Sequence, residues 1–494
     1  ISCKLSLSFT IFMPIQKAEA QVVPRYYEYP NTHLDWYTLE SEHFLIHFQK
    51  GNSRSAKVVS RIAEEVYNHI TGLYNLEPEN KVSIVLKDRE DYSNGAAYFF
   101  DDMIDIWVPP LSTQLRGTHN WYRNVISHEF THIVQLQAAM KRSRRIPAIY
   151  LQWLSYEDVR RPDVLYGFPK GIITYPFAGI SVPAWFAEGT AQYQRTGLYY
   201  DTWDSHRDMI LRMRMLSGSW LNFDEMGHFS SKSSIERETV YNQGYAFTIY
   251  LANRFGEEVL ADITRTLGES GVFDMDKAMK KATGISGHQL FDDWVEERTE
   301  FYEKATAHIN PTPYKRVEDG GFFNFHPQYS PDGKTLAYLS NRKEMDSGVY
   351  LYLTQTDSTN QQENKTSAIN SEKSHRVDLG IQPTMPEHTY ETGPILRRIS
   401  TSFDFSPDGK QLVYARINTN KYGEEYRDLH LLNLKKKEPT KRLTNSARLR
   451  DPAWSPDGNQ IATVQMDDNT LNLALYDLEE DTVKNLTKFG HGEQ

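Results

Sequence analysis

Apolar positions along this chain change period several times, and each change marks an element. From Trp36 to Phe48, Phe44, Ile46 and Phe48 alternate with less apolar neighbours, which predicts extended structure. Val58, Val59, Ile62, Val66, Ile70 and Leu73 then recur at steps of three and four, predicting a helix over 55–76. Short apolar runs at 82–86 and 103–108 read as strands, the second stopped by Pro109 and Pro110. A buried helix is expected across Asn124–Gln137, where Val125, Ile126, Phe130, Ile133, Val134 and Leu136 are apolar. Helical spacing returns over 257–267, 274–283 and 288–307, with Phe291, Trp294 and Phe301 in the last. The proline-punctuated stretch Ile309–Tyr314 predicts a linker over 309–320 and a domain boundary.

Beyond the linker the period is two and the sequence repeats. Tyr329-Ser-Pro-Asp-Gly-Lys-Thr-Leu-Ala-Tyr338 recurs as Phe405-Ser-Pro-Asp-Gly-Lys-Gln-Leu-Val-Tyr414 and as Trp454-Ser-Pro-Asp-Gly-Asn-Gln-Ile-Ala-Thr463. Proline fixes φ and glycine supplies the positive φ of a tight turn, so each copy predicts a turn leading into an alternating strand. Asp332, Asp408 and Asp457 are read as turn residues. The second and third copies start at Ser406 and Ser455, a propeller-blade period. Between the first two lies a polar insert over 356–397, rich in Ser, Thr, Asn, Gln and Glu and read as an exposed loop or a disordered segment.

The candidate chemistry lies on the helix before the linker. His128-Glu129-Phe130-Thr131-His132 places two imidazoles four residues apart, on one helix face, where both can reach one metal ion. Glu129 adjoins the first imidazole and can take the proton of a water acidified by zinc. Glu188, in a second helical pattern (Pro183-Ala-Trp-Phe-Ala-Glu-Gly-Thr-Ala-Gln-Tyr193), can be a third ligand, leaving one position open for water. In Val240-Tyr-Asn-Gln-Gly-Tyr-Ala-Phe-Thr-Ile-Tyr-Leu251, a tyrosine hydroxyl can donate to an oxyanion.

The order His-Glu-x-x-His, Trp-x-x-Glu-Gly and Tyr-x-x-Gly resembles the gluzincin metallopeptidases, in particular the peptidase MA-like group related to the M1 aminopeptidase catalytic domain. The repeats resemble a TolB-type β-propeller, and Arg442-Leu-Thr-Asn445 and Asn485-Leu-Thr-Lys488 fit its blade entries. Together these imply a multidomain chain: an α+β zincin-like metallopeptidase domain over 21–308, then an all-β propeller of about three blades over 321–494. Four to eight blades are typical, so the propeller is expected to be incomplete. The peptidase resemblance implies one zinc ion (Zn2+) per chain held by His128, His132 and Glu188, with Glu129 as general base and Tyr241 stabilising the tetrahedral intermediate. Tyr245 and Tyr250 lie close enough in sequence to compete for that last role.

Two departures from the M1 pattern matter. Fifty-five residues separate His132 from Glu188, far more than M1 enzymes place there, so an insertion is expected at about 138–183. It begins basic (Lys141, Arg142, Arg144, Arg145) and ends apolar; the favoured reading is a packed cover over the two zinc helices, with a lid or a membrane-surface contact as alternatives. The amine-holding Gly-Ala-Met-Glu-Asn motif is also missing. The nearest stretch, Asn94–Val108, lacks its glutamate and offers Asp101, Asp102 and Asp105 as substitutes. An endopeptidase is therefore slightly favoured over an aminopeptidase. By the same resemblance, 103–108 is the edge strand beside an extended substrate.

Composition narrows the setting. The chain has 494 residues, 39% hydrophobic and 24% charged, with a net charge of −10. No basic stripe or nucleic-acid module is present, which argues against DNA or RNA binding. Cys3 is the single cysteine, so no intrachain disulfide forms. The apolar run Leu5–Met13 followed by Lys17-Ala-Glu-Ala20 reads as a signal peptide cleaved after Ala20, predicting export to the periplasm, cell envelope or exterior. No later run is long enough to span a membrane as a helix. The leading function is an exported zinc peptidase acting on peptides or proteins, with the propeller binding substrate or an envelope partner. The alternatives are an envelope-binding protein with little activity, which the intact Glu129 argues against, and hydrolysis of a non-protein amide.

Overall fold

The computed structural model describes residues 34–490, apart from 114, 118, 142–147, 157–168, 179, 194–197, 199, 311, 314–323, 342–348, 356–398, 400 and 436–437. The signal-peptide reading and the polar insert lie outside the described residues. Five strands form the first sheet: β1 (Trp36–Glu40), β2 (Phe44–Gln49), β3 (Val82–Lys87), β4 (Gly95–Tyr98) and β5 (Met103–Trp107), in the spatial order β1-β2-β3-β5-β4. β2, β3 and β5 run parallel, and β1 and β4 flank them antiparallel. The parallel crossover is α1 (Ser53–Tyr74), close to the helix expected at 55–76. The edge strand is thus β4, not the 103–108 segment expected there, because β5 pairs on both sides. Gly95-Ala-Ala-Tyr98 has no β-branched residue and no alternation, so periodicity gave no strand signal.

The alternating positions of β2 and β3 (Phe44, Ile46, Val82, Ile84, Leu86) join Ile104 and Ile106 of β5 in one buried layer. Val59, Ile62 and Val66 of α1 cover it, with Ile126, Phe130 and Ile133 of α2 (Trp121–Ala138). After α2 the predicted insertion forms a two-stranded hairpin of β6 (Ala148–Tyr156) and β7 (Pro169–Ala178). Trp153, Leu154 and Tyr156 of β6 stand exposed; the apolar stretch on which the packed-cover reading rests lies for the most part outside the described side chains.

A second, helical core follows: α3 (Ala184–Tyr193), α4 (Ser205–Ser217), α5 (Ser234–Phe255), α6 (Glu258–Gly268), α7 (Met275–Thr283) and α8 (Gly287–Thr306). Trp185, Phe247, Phe291 and Trp294 form its aromatic centre. α3 and α5 cross at two glycines. A Cβ on Gly189 would lie 2.5 Å from Gly244 O and 2.5 Å from Thr248 Oγ1, and one on Gly244 would lie 2.5 Å from Trp185 O. This approach draws Glu188 and Tyr241, which flank the two glycines in sequence, toward each other. Gly189→Ala is expected to lower stability by about 1–3 kcal/mol through overpacking, outweighing the roughly 1 kcal/mol that alanine gains in a helix. Denaturant unfolding measures this, and an unchanged midpoint would refute the close crossing.

The repeat region builds antiparallel meanders. The first has β8 (Asn324–Tyr329), β9 (Thr335–Ser340) and β10 (Tyr350–Gln355). The second has β11 (Phe403–Phe405), β12 (Gln411–Thr419), β13 (Glu425–Asn433) and β14 (Glu438–Arg442), and the third has β15 (Leu449–Trp454), β16 (Gln460–Asp467), β17 (Thr470–Asp477) and β18 (Thr482–Asn485). Each Ser-Pro-Asp-Gly turn joins the first two strands of its sheet. In each, the aspartate accepts from the serine hydroxyl two residues before it and from the backbone N–H two residues after it.

The second and third repeat sheets dock on the first domain. The Asp468 carboxylate, at the β16–β17 turn, accepts from the N–H groups of Arg54 (3.2 Å) and Ser55 (3.4 Å) in the first turn of α1, whose own N-cap Asn52 makes no side-chain cap. Asn469, fully buried, donates to Val108 O at 2.6 Å.

Candidate metal and hydrolytic site

α2 is capped by the Asn120 side chain, which accepts from Arg123 N–H, and its apolar face is buried against the sheet. His128 and His132 lie one turn apart on it, with ring planes nearly perpendicular. α3 brings Glu188 to them. His128 Nε2 lies 3.1 Å from Glu188 Oε2, His132 Nε2 lies 3.4 Å from the same oxygen, and the two Nε2 atoms are 3.1 Å apart. Among the described residues, these three form the one group of His, Cys, Asp or Glu side chains placed to hold a metal ion.

Electrostatics ties the three together. Burial pushes the Glu188 carboxyl up, but charge and hydrogen bonds from His132 and His128 outweigh it and hold the group far below the usual carboxylate range. Burial pushes the His132 imidazole down, and Glu188 beside it more than reverses this, raising it above its ordinary value. A proton and a metal ion therefore compete for the same nitrogen.

Glu129, the residue after His128, lies against the edge strand β4. Burial raises its carboxyl, opposed by the charges of His128 and His132; Glu188 raises it further, and a hydrogen bond from Ala97 N–H lowers it. β4 fits so closely that a Cβ on Gly95 would lie 2.4 Å from Glu129 Oε1 and 2.6 Å from Val125 Cγ2.

The three candidate tyrosines separate cleanly. The hydroxyl of Tyr241 is pushed up by burial first and then by the charge of Glu188, with Glu129 adding to it, so its surroundings are those of the triad. Tyr245 is buried against Trp203 and Arg207, and its hydroxyl is pushed up by burial and then by the charge of Asp201. Tyr250 stacks on Phe247 and meets Arg254. The aspartates offered as amine-holding substitutes do not join the triad. Asp102 accepts from Gln137 and Asn80, Asp105 pairs with Lys87, and Asp101 lies in the turn after β4.

One nearby pair went unread in the sequence. Arg116 donates to Glu238 through Nε (2.9 Å) and a terminal nitrogen (3.0 Å), and its guanidinium lies 5.1 Å from the Tyr241 ring centroid. Glu238 stands three residues before Tyr241 on α5, so an i, i+3 relation was available as a signal; the partner 122 residues away was not.

No protein-family model matches the chain. Curated relatives include dipeptidyl-peptidase 5 of Trichophyton schoenleinii, 27% identical over 165 residues (32% of this chain, 20% of that protein), and that of Arthroderma otae, 27% identical over 157 residues (30% and 18%). The chain thus spans about a fifth of the length of the curated relatives it matches. Among solved structures, TolB from Acinetobacter baumannii overlays 34% of this chain and 33% of its own at 19% identity, TM-score 0.23. The β-propeller domain of the Trilobed protease from Pyrococcus furiosus overlays 34% and 43% at 13% identity, TM-score 0.22. No helix among the described residues is long and apolar enough to cross a membrane.

Proposed function

We propose that this chain is an exported zinc-dependent peptidase with a zincin-like catalytic domain, in which the repeats form part of a TolB-like β-propeller that binds substrate or an envelope partner. The observation that carries the reading is the convergence of His128 Nε2, His132 Nε2 and Glu188 Oε2 at separations of 3.1–3.4 Å. Donor atoms on a tetrahedral ion with bonds of about 2.0–2.1 Å lie roughly 3.3 Å apart, so the set fits zinc. Two imidazole nitrogens facing each other at 3.1 Å also need a proton or a cation between them. The dipeptidyl-peptidase relatives agree with peptide-bond hydrolysis as the reaction class.

Zinc bound there supplies acidification of a water and polarisation of a carbonyl oxygen. Glu129 accepts the proton of the attacking water and returns it to the leaving amine. The Tyr241 hydroxyl, kept protonated by burial, donates to the oxyanion. Internal cleavage is favoured over amino-terminal cleavage, since the Asn94–Val108 stretch lacks the amine-holding glutamate, and Asp102 and Asp105 are engaged by Gln137, Asn80 and Lys87.

The test is cleavage of a mixed peptide library, read by mass spectrometry, beside metal analysis. One zinc per chain is expected, with cleavage abolished by a chelator and restored by zinc. Undiminished cleavage by metal-free protein would overturn the reading. The positions of the cuts separate endopeptidase from aminopeptidase.

A further inference from the structure

The segment that leads into the edge strand is held by the repeat region. Between β3 and β4, Asp91 N–H donates to Glu425 O (2.7 Å) and Glu425 N–H donates to Arg89 O (2.8 Å), a short parallel bridge across the two domains. Asp91 is buried, and its carboxylate accepts from Arg448 Nε at 2.8 Å and from Arg427 N–H at 2.7 Å. The other arm of the Arg448 guanidinium donates to Asp88 Oδ1 at 2.6 Å. Tyr426 lies 4.8 Å beneath that guanidinium and donates through its hydroxyl to Asp88 O at 2.9 Å. One arginine thus spans two carboxylates three residues apart on the same loop. The planar, two-armed guanidinium suits that task, and a lysine ammonium does not.

What this loop positions is β4. The strand is four residues long, pairs with β5 on one side only, and begins four residues after Asp91. So short a strand takes its placement from whatever fixes its ends. Its other end is a tight turn, with Asp101 N–H donating to Tyr98 O. β4 in turn touches Glu129 through Gly95 and Ala97.

We propose that Arg448 is a positioning residue for the hydrolytic site: through Asp88 and Asp91 it sets β4 against Glu129, so the repeat region shapes the cleft without touching substrate. This rests on the reading of Glu129 as general base. A buried ion pair is weak evidence for stability and is better suited to fixing a register. The repeat region is then a structural part of the catalytic unit, and a partner binding near Arg448 acts on the rate through this loop.

The experiment compares the zinc-loaded full chain with Arg448→Met and Arg448→Lys, the latter covering the case that Arg448→Met does not fold. Amide hydrogen exchange of a peptide spanning 95–98 is read beside kcat, KM and zinc content. Exchange about tenfold faster is expected in Arg448→Met, with a smaller rise in Arg448→Lys. With it, kcat is expected to fall about tenfold at unchanged zinc content. Ser112→Ala removes a different contact of the same seam, the hydroxyl that accepts from Arg450 at 3.0 Å, and is expected to leave exchange at 95–98 as in the parent. Unchanged exchange in Arg448→Met, faster exchange without loss of kcat, or an equal rise in Ser112→Ala would each overturn the proposal. The exchange arm needs no activity, so a parent protein that cleaves nothing sinks the peptidase reading and leaves the coupling to be judged by exchange.

Discussion

Glu129→Gln is expected to keep its zinc and lose at least about a hundredfold in kcat/KM, the lower end for general acid–base catalysis. That is roughly 2.7 kcal/mol of transition-state stabilisation. The metal should stay because Glu129 is not one of the three converging donors. The fold should stay because glutamine has the same shape and can still accept from Ala97 N–H. Only the capacity to take and return a proton is removed. Zinc analysis beside steady-state kinetics reads both halves. Full activity with zinc bound would rule Glu129 out as the base, and loss of zinc would mean that it helps to hold the metal.

Gly95→Ala is expected to reach the same group by crowding it. The added methyl would lie 2.4 Å from Glu129 Oε1, so either the carboxylate or β4 must shift. Displacing a catalytic group by about 1 Å can cost on the order of a hundredfold. A loss of roughly ten- to a hundredfold in kcat is expected, with zinc content close to the parent's and stability lowered by about 1–3 kcal/mol through overpacking against Glu129 and Val125. If Gly95 acts only through Glu129, adding Gly95→Ala to Glu129→Gln costs little more, a non-additivity that a double-mutant cycle measures. Full additivity would mean that Gly95 serves substrate binding instead.

These two variants mark where the sequence was readable and where it was not. His128, His132 and Glu129 were legible because one helix carries them, and helix periodicity fixes which residues share a face. Glu188 followed from a second local motif, and α1, α6, α7 and α8 begin and end within about two residues of their apolar periodicities. The edge strand was missed because Gly95-Ala-Ala-Tyr98 is defined by its pairing with β5 and not by its own residues. Trp153, Leu154 and Tyr156 stand exposed on β6, a placement that composition does not give because it says what a segment prefers, not which neighbours it finds. Arg116 with Glu238, and Arg448 with Asp88 and Asp91, are charges brought together over 122 to 360 residues, and no local pattern announces such a partner.

The capping of α1 by Asp468 has a consequence for the order in which this protein is made. α1 leaves the ribosome early, yet the acceptor for its first-turn amides is synthesised 413 residues after Ser55. At about 5–20 residues per second, that interval is roughly 20–80 s. During it the first-turn amides of Arg54 and Ser55 lack the carboxylate that caps them, and Val108 O lacks the Asn469 amide that meets it. The first domain can collapse in that time, but its finished form waits on the third repeat. A nascent chain stalled before Asp468 should therefore be cut more readily by added protease near residues 52–55 than one stalled after it.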